Sequence, residues 1–155
     1  MSMPEVGQSA PRVVLPRDGG DSVDLAALTG RKVVLYFYPK DDTSGCTREA
    51  NEFTARIDDF EAAGATVIGI SRDSVQRHER FRDKHELKVI LLSDEEGDVT
   101  EAFGVWVEKS MYGRKYMGIQ RATFLIDGEG IVRRVWPNVK VPGHVDEVLE
   151  AVRSL

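Results

Sequence analysis

Val33-Val34-Leu35-Tyr36-Phe37-Tyr38 constrains this chain more than any other segment. Six consecutive apolar or aromatic side chains leave no polar face for water, which suits a central strand covered on both sides. Pro39 ends the run, and Lys40-Asp41-Asp42-Thr43-Ser44-Gly45 reads as a polar turn. Beyond it Ala50, Phe53, Ile57 and Phe60 recur at helical spacing, with Gly64 as a C-terminal stop. Residues 66–70 predict a second buried strand, so the unit is strand, helix, strand with parallel pairing and a right-handed crossover. Ser74 caps a helix running to His85, and residues 89–92 form a short third strand. Residues 123–126 and 131–135 flank Asp127-Gly128-Glu129-Gly130 as a hairpin. Val145, Val148, Leu149 and Val152 line one face of a closing helix. The pattern predicts an α/β fold, a mixed sheet with helices on both faces. At 155 residues it predicts one domain with its own core.

Cys46, the only cysteine, sits where the polar turn passes into the first helix. Unpaired backbone N–H groups and the helix dipole at such a point favour a thiolate, the reactive form of the side chain. A packing cysteine is expected inside an apolar periodicity, not on a Thr-Ser-Gly turn.

Pro39, Thr43 and Cys46 form a Pro-x-x-x-Thr-x-x-Cys pattern that resembles the peroxidatic signature of peroxiredoxins. The longer stretch Val34 to Lys40 with Cys46-Thr47-Arg48-Glu49-Ala50 is similar to the bacterioferritin comigratory protein (Q-type) branch. The resemblance continues in Leu91-Leu92-Ser93-Asp94, Phe103-Gly104-Val105-Trp106, Tyr116-Met117-Gly118 and Arg121-Ala122-Thr123-Phe124-Leu125-Ile126-Asp127, and covers the chain from about Val6 onward. It implies a thioredoxin-like fold and reduction of hydrogen peroxide and organic hydroperoxides. Reducing equivalents would come from thioredoxin, glutaredoxin or a low-molecular-weight thiol, without a cofactor.

Such a reaction needs a thiolate, donors that orient the O–O bond, and a charge partner for the leaving oxygen. Cys46 supplies the nucleophile, and Gly45 permits close backbone approach. Thr43 is either a helix cap alone or a hydroxyl that also handles the peroxide, and Pro39 stiffens and shields the loop. The resemblance places the obligatory cation at Arg121, whose planar fork contacts sulfur and oxygen together. Glu49 shares the helix face of Cys46 and either orients Arg121 or favours the first helical turn electrostatically. Two positions depart from the branch: Ser44 replaces a frequent proline, and Asn51 replaces a frequent resolving cysteine. With no second thiol, an internal disulfide is impossible.

The formal charge of −5 offers no basic field for nucleic acid or anionic membrane. No apolar run reaches the roughly 20 residues of a membrane span, and the N-terminus lacks signal-peptide character. The expectation is a cytoplasmic protein, and the resemblance to the Q-type branch implies a monomer. His78, His85 and His144 lack metal-ligand spacing and are expected on the solvated surface. The same holds for Arg77 to Arg82 and Arg133-Arg134, while Asp41-Asp42 and Asp94-Glu95-Glu96 are expected to be turn residues. Trp106 and Trp136 are expected to pack. Two other readings stay open: a thiol–disulfide oxidoreductase, disfavoured by Thr43 in the first position of a Cys-x-x-Cys pair, and a cysteine redox sensor without turnover.

Overall fold

A computed structural model describes residues 2–155. The predicted central strand is β3 (Lys32–Phe37), following a small antiparallel ribbon of β1 (Val14–Pro16) and β2 (Ser22–Asp24). The other strands are β4 (Ala65–Ser71), β5 (Ile90–Ser93), β6 (Trp106–Met111), β7 (Arg114–Ile119), β8 (Ala122–Ile126) and β9 (Val132–Trp136). Five of them form one mixed sheet in the order β5-β4-β3-β8-β9. β3, β4 and β5 run parallel, while β8 is antiparallel to β3 and to β9.

The helices are α1 (Ser44–Ala55), α2 (Ile57–Ala62), α3 (Val75–His85), α4 (Asp98–Ala102) and α5 (His144–Arg153). Alternation along β3 explains its unbroken apolar run. Val34, Tyr36 and Tyr38 face a core completed by Phe53, Phe60, Phe81 and the apolar stripe of α5. Val33, Leu35 and Phe37 face a second core that includes Val99, Phe103 and Phe124. The sheet is therefore covered on both faces, as expected, with α1, α2, α3 and α5 contributing to the first core.

The helical periodicity after Cys46 belongs to two helices, separated at Arg56 (φ −107°, ψ 9°), not to one. Ser74 caps α3 by accepting from the Arg77 N–H, and Gly64 takes the predicted left-handed turn at φ 82°. The β6–β7 hairpin, turned at Tyr112 (φ 53°) and Gly113 (φ 78°), was not expected. Met111, Tyr112, Tyr116 and Met117 on it are exposed, so no buried stripe marks it in the sequence.

The histidines depart most from expectation. His78 is 0% exposed and His144 is 5% exposed; His85 is half-buried. Burial becomes possible because each ring finds partners: His78 meets Asp41 and the Leu92 carbonyl, and His144 meets the Thr123 hydroxyl at 2.8 Å. The acidic turns hold a similar surprise. Asp41 and Asp94 are buried, Asp94 because it accepts from the Val99 and Thr100 N–H groups at the start of α4. Trp106 and Trp136 pack at the edges of the two cores.

Candidate active site

The site lies at the carboxyl end of β3, where ligands of open α/β sheets bind. The chain leaves β3 at Tyr38, turns through Pro39 to Asp42, and enters α1 at Ser44. Asp42 adopts φ 61°, and its carboxylate is held by Lys84 Nζ at 2.7 Å and His85 Nε2 at 2.8 Å. Those two bonds, His85 first, lower its pKa. Thr43 occupies the N-cap position in extended geometry but makes no side-chain cap bond. Its exposed hydroxyl donates to the Lys40 carbonyl at 2.9 Å, leaving its lone pairs free.

Cys46 is the third residue of α1, and the first intrahelical bond, Thr47 N–H to the Thr43 carbonyl, starts one residue later. The preceding N–H groups of this turn have no acceptor within the helix. Cys46, Glu49, Ala50 and Phe53 share the buried face, and the sulfur-bearing residue is 2% exposed.

Sheet register brings the cation to this point. Phe37 pairs with Ala122 across β3 and β8, so Arg121 emerges beside the strand end from which the turn to α1 departs. Its Nη2 lies 3.3 Å from Cys46 Sγ, and its Nη1 donates to Glu49 Oε1 at 2.6 Å. Gly45 makes room, since a Cβ there would stand 3.2 Å from Nη2. Burial opposes the arginine charge, but Glu49 and then Cys46 outweigh it and raise the pKa. Glu49 is 0% exposed, and burial lifts its pKa to about 7 against the pull of Arg121. Among the described residues its Oε2 has no hydrogen-bond partner, nor does the hydroxyl of Tyr36, whose ring stacks on Phe53 at 4.7 Å.

All five predicted site residues thus belong to one region: Cys46, Glu49 and Arg121 in direct contact, with Thr43 and Pro39 on the turn leading into α1. Sequence reading missed Lys109, which lies close enough to Arg121 and Cys46 to feel both charges. Burial first, and then Arg121, lower its pKa, and its Nζ donates to the Ile119 carbonyl at 2.5 Å. Lys109 also lines a groove of ≈650 Å³ with Pro39, Lys40, Arg72, Trp106 and Tyr116. The turn residue Asp41 and its buried partner His78 were missed as well, since neither belongs to an apolar or motif pattern.

Residues 6–135 match the AhpC/TSA family. A protein of Coxiella burnetii that carries the peroxiredoxin bcp name is 53% identical over 145 residues, covering 94% of this chain and 96% of the relative. Peroxiredoxin Bcp of Bacillus subtilis is 46% identical, covering 97% of this chain and 96% of its own. Among solved structures, the bacterioferritin comigratory protein of Xanthomonas campestris, studied for its alkyl peroxide reduction activity, superposes with a TM-score of 0.87. It is 44% identical and covers 92% of this chain and 90% of its own. Family model, relatives and structure agree with a thioredoxin-like fold. The chain belongs to the AhpC/TSA family and, within it, to the Bcp (Q-type) peroxiredoxins, and it is a thiol-dependent peroxidase.

Proposed function

We propose that Cys46 is the nucleophile that reduces hydrogen peroxide and organic hydroperoxides, with Arg121 as its charge partner. The observation that carries this is the 3.3 Å contact of Arg121 Nη2 with Cys46 Sγ while Glu49 holds the other arm. The thiolate attacks the terminal peroxide oxygen, the S–O bond forms as the O–O bond breaks, and the sulfur is oxidised to sulfenic acid. The leaving oxygen takes a proton from solvent and departs as water or alcohol. Arg121 stabilises negative charge as it passes from sulfur to oxygen. The Thr43 hydroxyl, already donating to Lys40, accepts from the peroxide proton, and Pro39 shields the turn.

The chain has one cysteine, so an external thiol resolves the sulfenic acid. The first thiol forms a mixed disulfide with loss of water, and a second thiol releases Cys46. A donor such as thioredoxin, glutaredoxin or a small thiol fits this need. Cys46 is 2% exposed, so the first turn of α1 must loosen before a protein thiol reaches it. A lone oxidisable thiol suits a reducing compartment, and the protein is read as a cytoplasmic monomer.

The test is stopped-flow peroxide consumption with Cys46→Ser. Activity falling to background supports the assignment, and retained turnover overturns it. Light scattering of the reduced and oxidised protein decides the monomer.

A further inference from the structure

The turn that carries Pro39 and Thr43 is strapped to α3 by buried charge. His78, fully buried on α3, places Nδ1 2.6 Å from Asp41 Oδ2 and Nε2 2.8 Å from the carbonyl oxygen of Leu92. A carbonyl only accepts, so Nε2 carries a proton. The short contact of Nδ1 with a carboxylate calls for a second, which makes the ring an imidazolium and the contact an ion pair. Burial works against that charge, but the hydrogen bond and charge of Asp41 outweigh it and hold the His78 pKa above its ordinary value, with Asp73 adding in the same direction.

The surrounding groups complete the strap. Asp41 Oδ1 accepts from the Tyr38 hydroxyl at 2.6 Å, and the Asp41 N–H donates to Asp73 Oδ2 at 2.8 Å. Asp73 accepts from the Ser71 hydroxyl at 2.7 Å and pairs with Arg77 at 3.0 Å. Asp41, Asp73, Arg77 and the Tyr38 phenol are thus the charged or titratable groups facing His78 from β3, the turn, the end of β4 and α3.

A buried ion pair is poor evidence for stability, because desolvation offsets most of its attraction. Position is a better account. Asp42 sits at φ 61°, a left-handed conformation that tertiary contacts must hold. The Thr43 side chain bonds only within the turn itself. Asp41 provides the buried polar ties between this turn and the body of the protein.

We propose that the Asp41–His78 pair is a positioning device of the peroxide site: it pins the turn against α3 and thereby sets Pro39 and Thr43 against Cys46 and Arg121. It rests on Cys46 and Arg121 acting as described above. Removing the charge leaves the sulfur and the guanidinium on their own elements but loosens the turn that leads into α1, which then keeps the more exposed bonds of Asp42 to Lys84 and His85.

Asp41→Asn tests this, since it keeps the volume and an acceptor for Tyr38. Two rates are read at neutral pH: oxidation of Cys46 by hydrogen peroxide, and alkylation of Cys46 by iodoacetamide. The peroxide rate should fall about 10- to 100-fold, the cost of a small misplacement, while alkylation speeds up as the sulfur becomes accessible. An unchanged peroxide rate, or both rates falling together, overturns the proposal. Should the variant fail to fold, the unaltered protein decides through 15N NMR of His78 and the pH profile of peroxide oxidation. Glu49 ionisation strengthens its hold on Arg121 and raises that rate with pH, so a fall at the pH where the His78 ring loses its proton supports the pair. A neutral ring at pH 7, or no fall, overturns it. Loss of activity in Cys46→Ser alongside an unaffected Asp41→Asn would reject the pair alone, while activity surviving in Cys46→Ser would reject the parent reading.

Discussion

One guanidinium, that of Arg121, holds the buried Glu49 carboxylate at 2.6 Å with one arm and the Cys46 sulfur at 3.3 Å with the other. Glu49 and Cys46 lie one helical turn apart, so the fork matches the spacing of α1. Lysine offers a single ammonium and cannot span both.

Arg121→Lys should therefore remain folded but lose roughly 10²–10³ in the rate of Cys46 oxidation, the usual cost of one preorganised donor. Gly45→Ala should move the rate in the same direction by less, because its methyl would press on Nη2 from 3.2 Å. Stopped-flow oxidation by hydrogen peroxide measures both, and a wild-type rate in Arg121→Lys would make that residue a bystander.

Glu49 and His144 pull stability in opposite directions between about pH 4.5 and 6.5. Burial raises Glu49 from its ordinary 4.5 to about 7, so its contribution is full below 4.5 and is lost as pH rises through 7. Burial lowers His144 from 6.5 to about 4, so its contribution is full above 6.5 and is lost as pH falls through 4. Each is on the order of 3 kcal/mol, and in the shared window they offset. Glu49→Gln should make stability climb with pH across this window, and His144→Gln should make it decline. Urea midpoints from pH 4 to 7 check the two slopes, and parallel profiles in both variants would contradict them.

Tyr36 and Gly69 meet across β3 and β4, where a Cβ on Gly69 would come within 2.6 Å of Tyr36 Cζ. Gly69→Ala should cost about 1–3 kcal/mol through overpacking. Tyr36→Phe removes a buried hydroxyl that has no partner among the described residues, and should leave stability unchanged or raise it by about 1 kcal/mol. Chemical denaturation of the two variants distinguishes these outcomes.

Asn51 is exposed on α1 while Cys46 faces the core. Starved of reductant, the protein should add one oxygen and then a second to Cys46, as sulfenic and then sulfinic acid. In Asn51→Cys an internal disulfide should form only with loss of helical signal, because α1 points the two side chains apart. Intact mass after peroxide, paired with circular dichroism, reads both events. A Cys46–Cys46 disulfide forming faster than sulfinic acid would show instead that a second subunit resolves the first.

Local pattern sufficed for much of this molecule. The apolar run at residues 33–38 marked β3 because a strand buried on both faces has no polar alternation to obscure it. Ser74, Gly64 and the Asp127 to Gly130 turn marked element ends because caps and turns are decided by neighbours in sequence. Cys46 was legible for the same reason, since strand, turn and helix are consecutive. The β6–β7 hairpin was not legible, because Met111, Tyr112, Tyr116 and Met117 are exposed and Ile119 alone is buried, so no buried face imposes a period.

Tertiary structure decided what depends on distant residues meeting. Arg121 is 75 positions from Cys46, and only the antiparallel register of β3 with β8 sets it beside the sulfur. His78 and Asp41, 37 positions apart, look like a solvated helix face and a turn residue when each is read alone. Either one buried singly would leave a charge without a partner, so burial was available only to the two together. The sequence by itself determined the five strands of the main sheet, two element ends and the place of Cys46 at the start of α1, because these follow from local periodicity and backbone chemistry. The charge around that cysteine came from packing, because an ion pair in the core exists only once the fold has placed both halves.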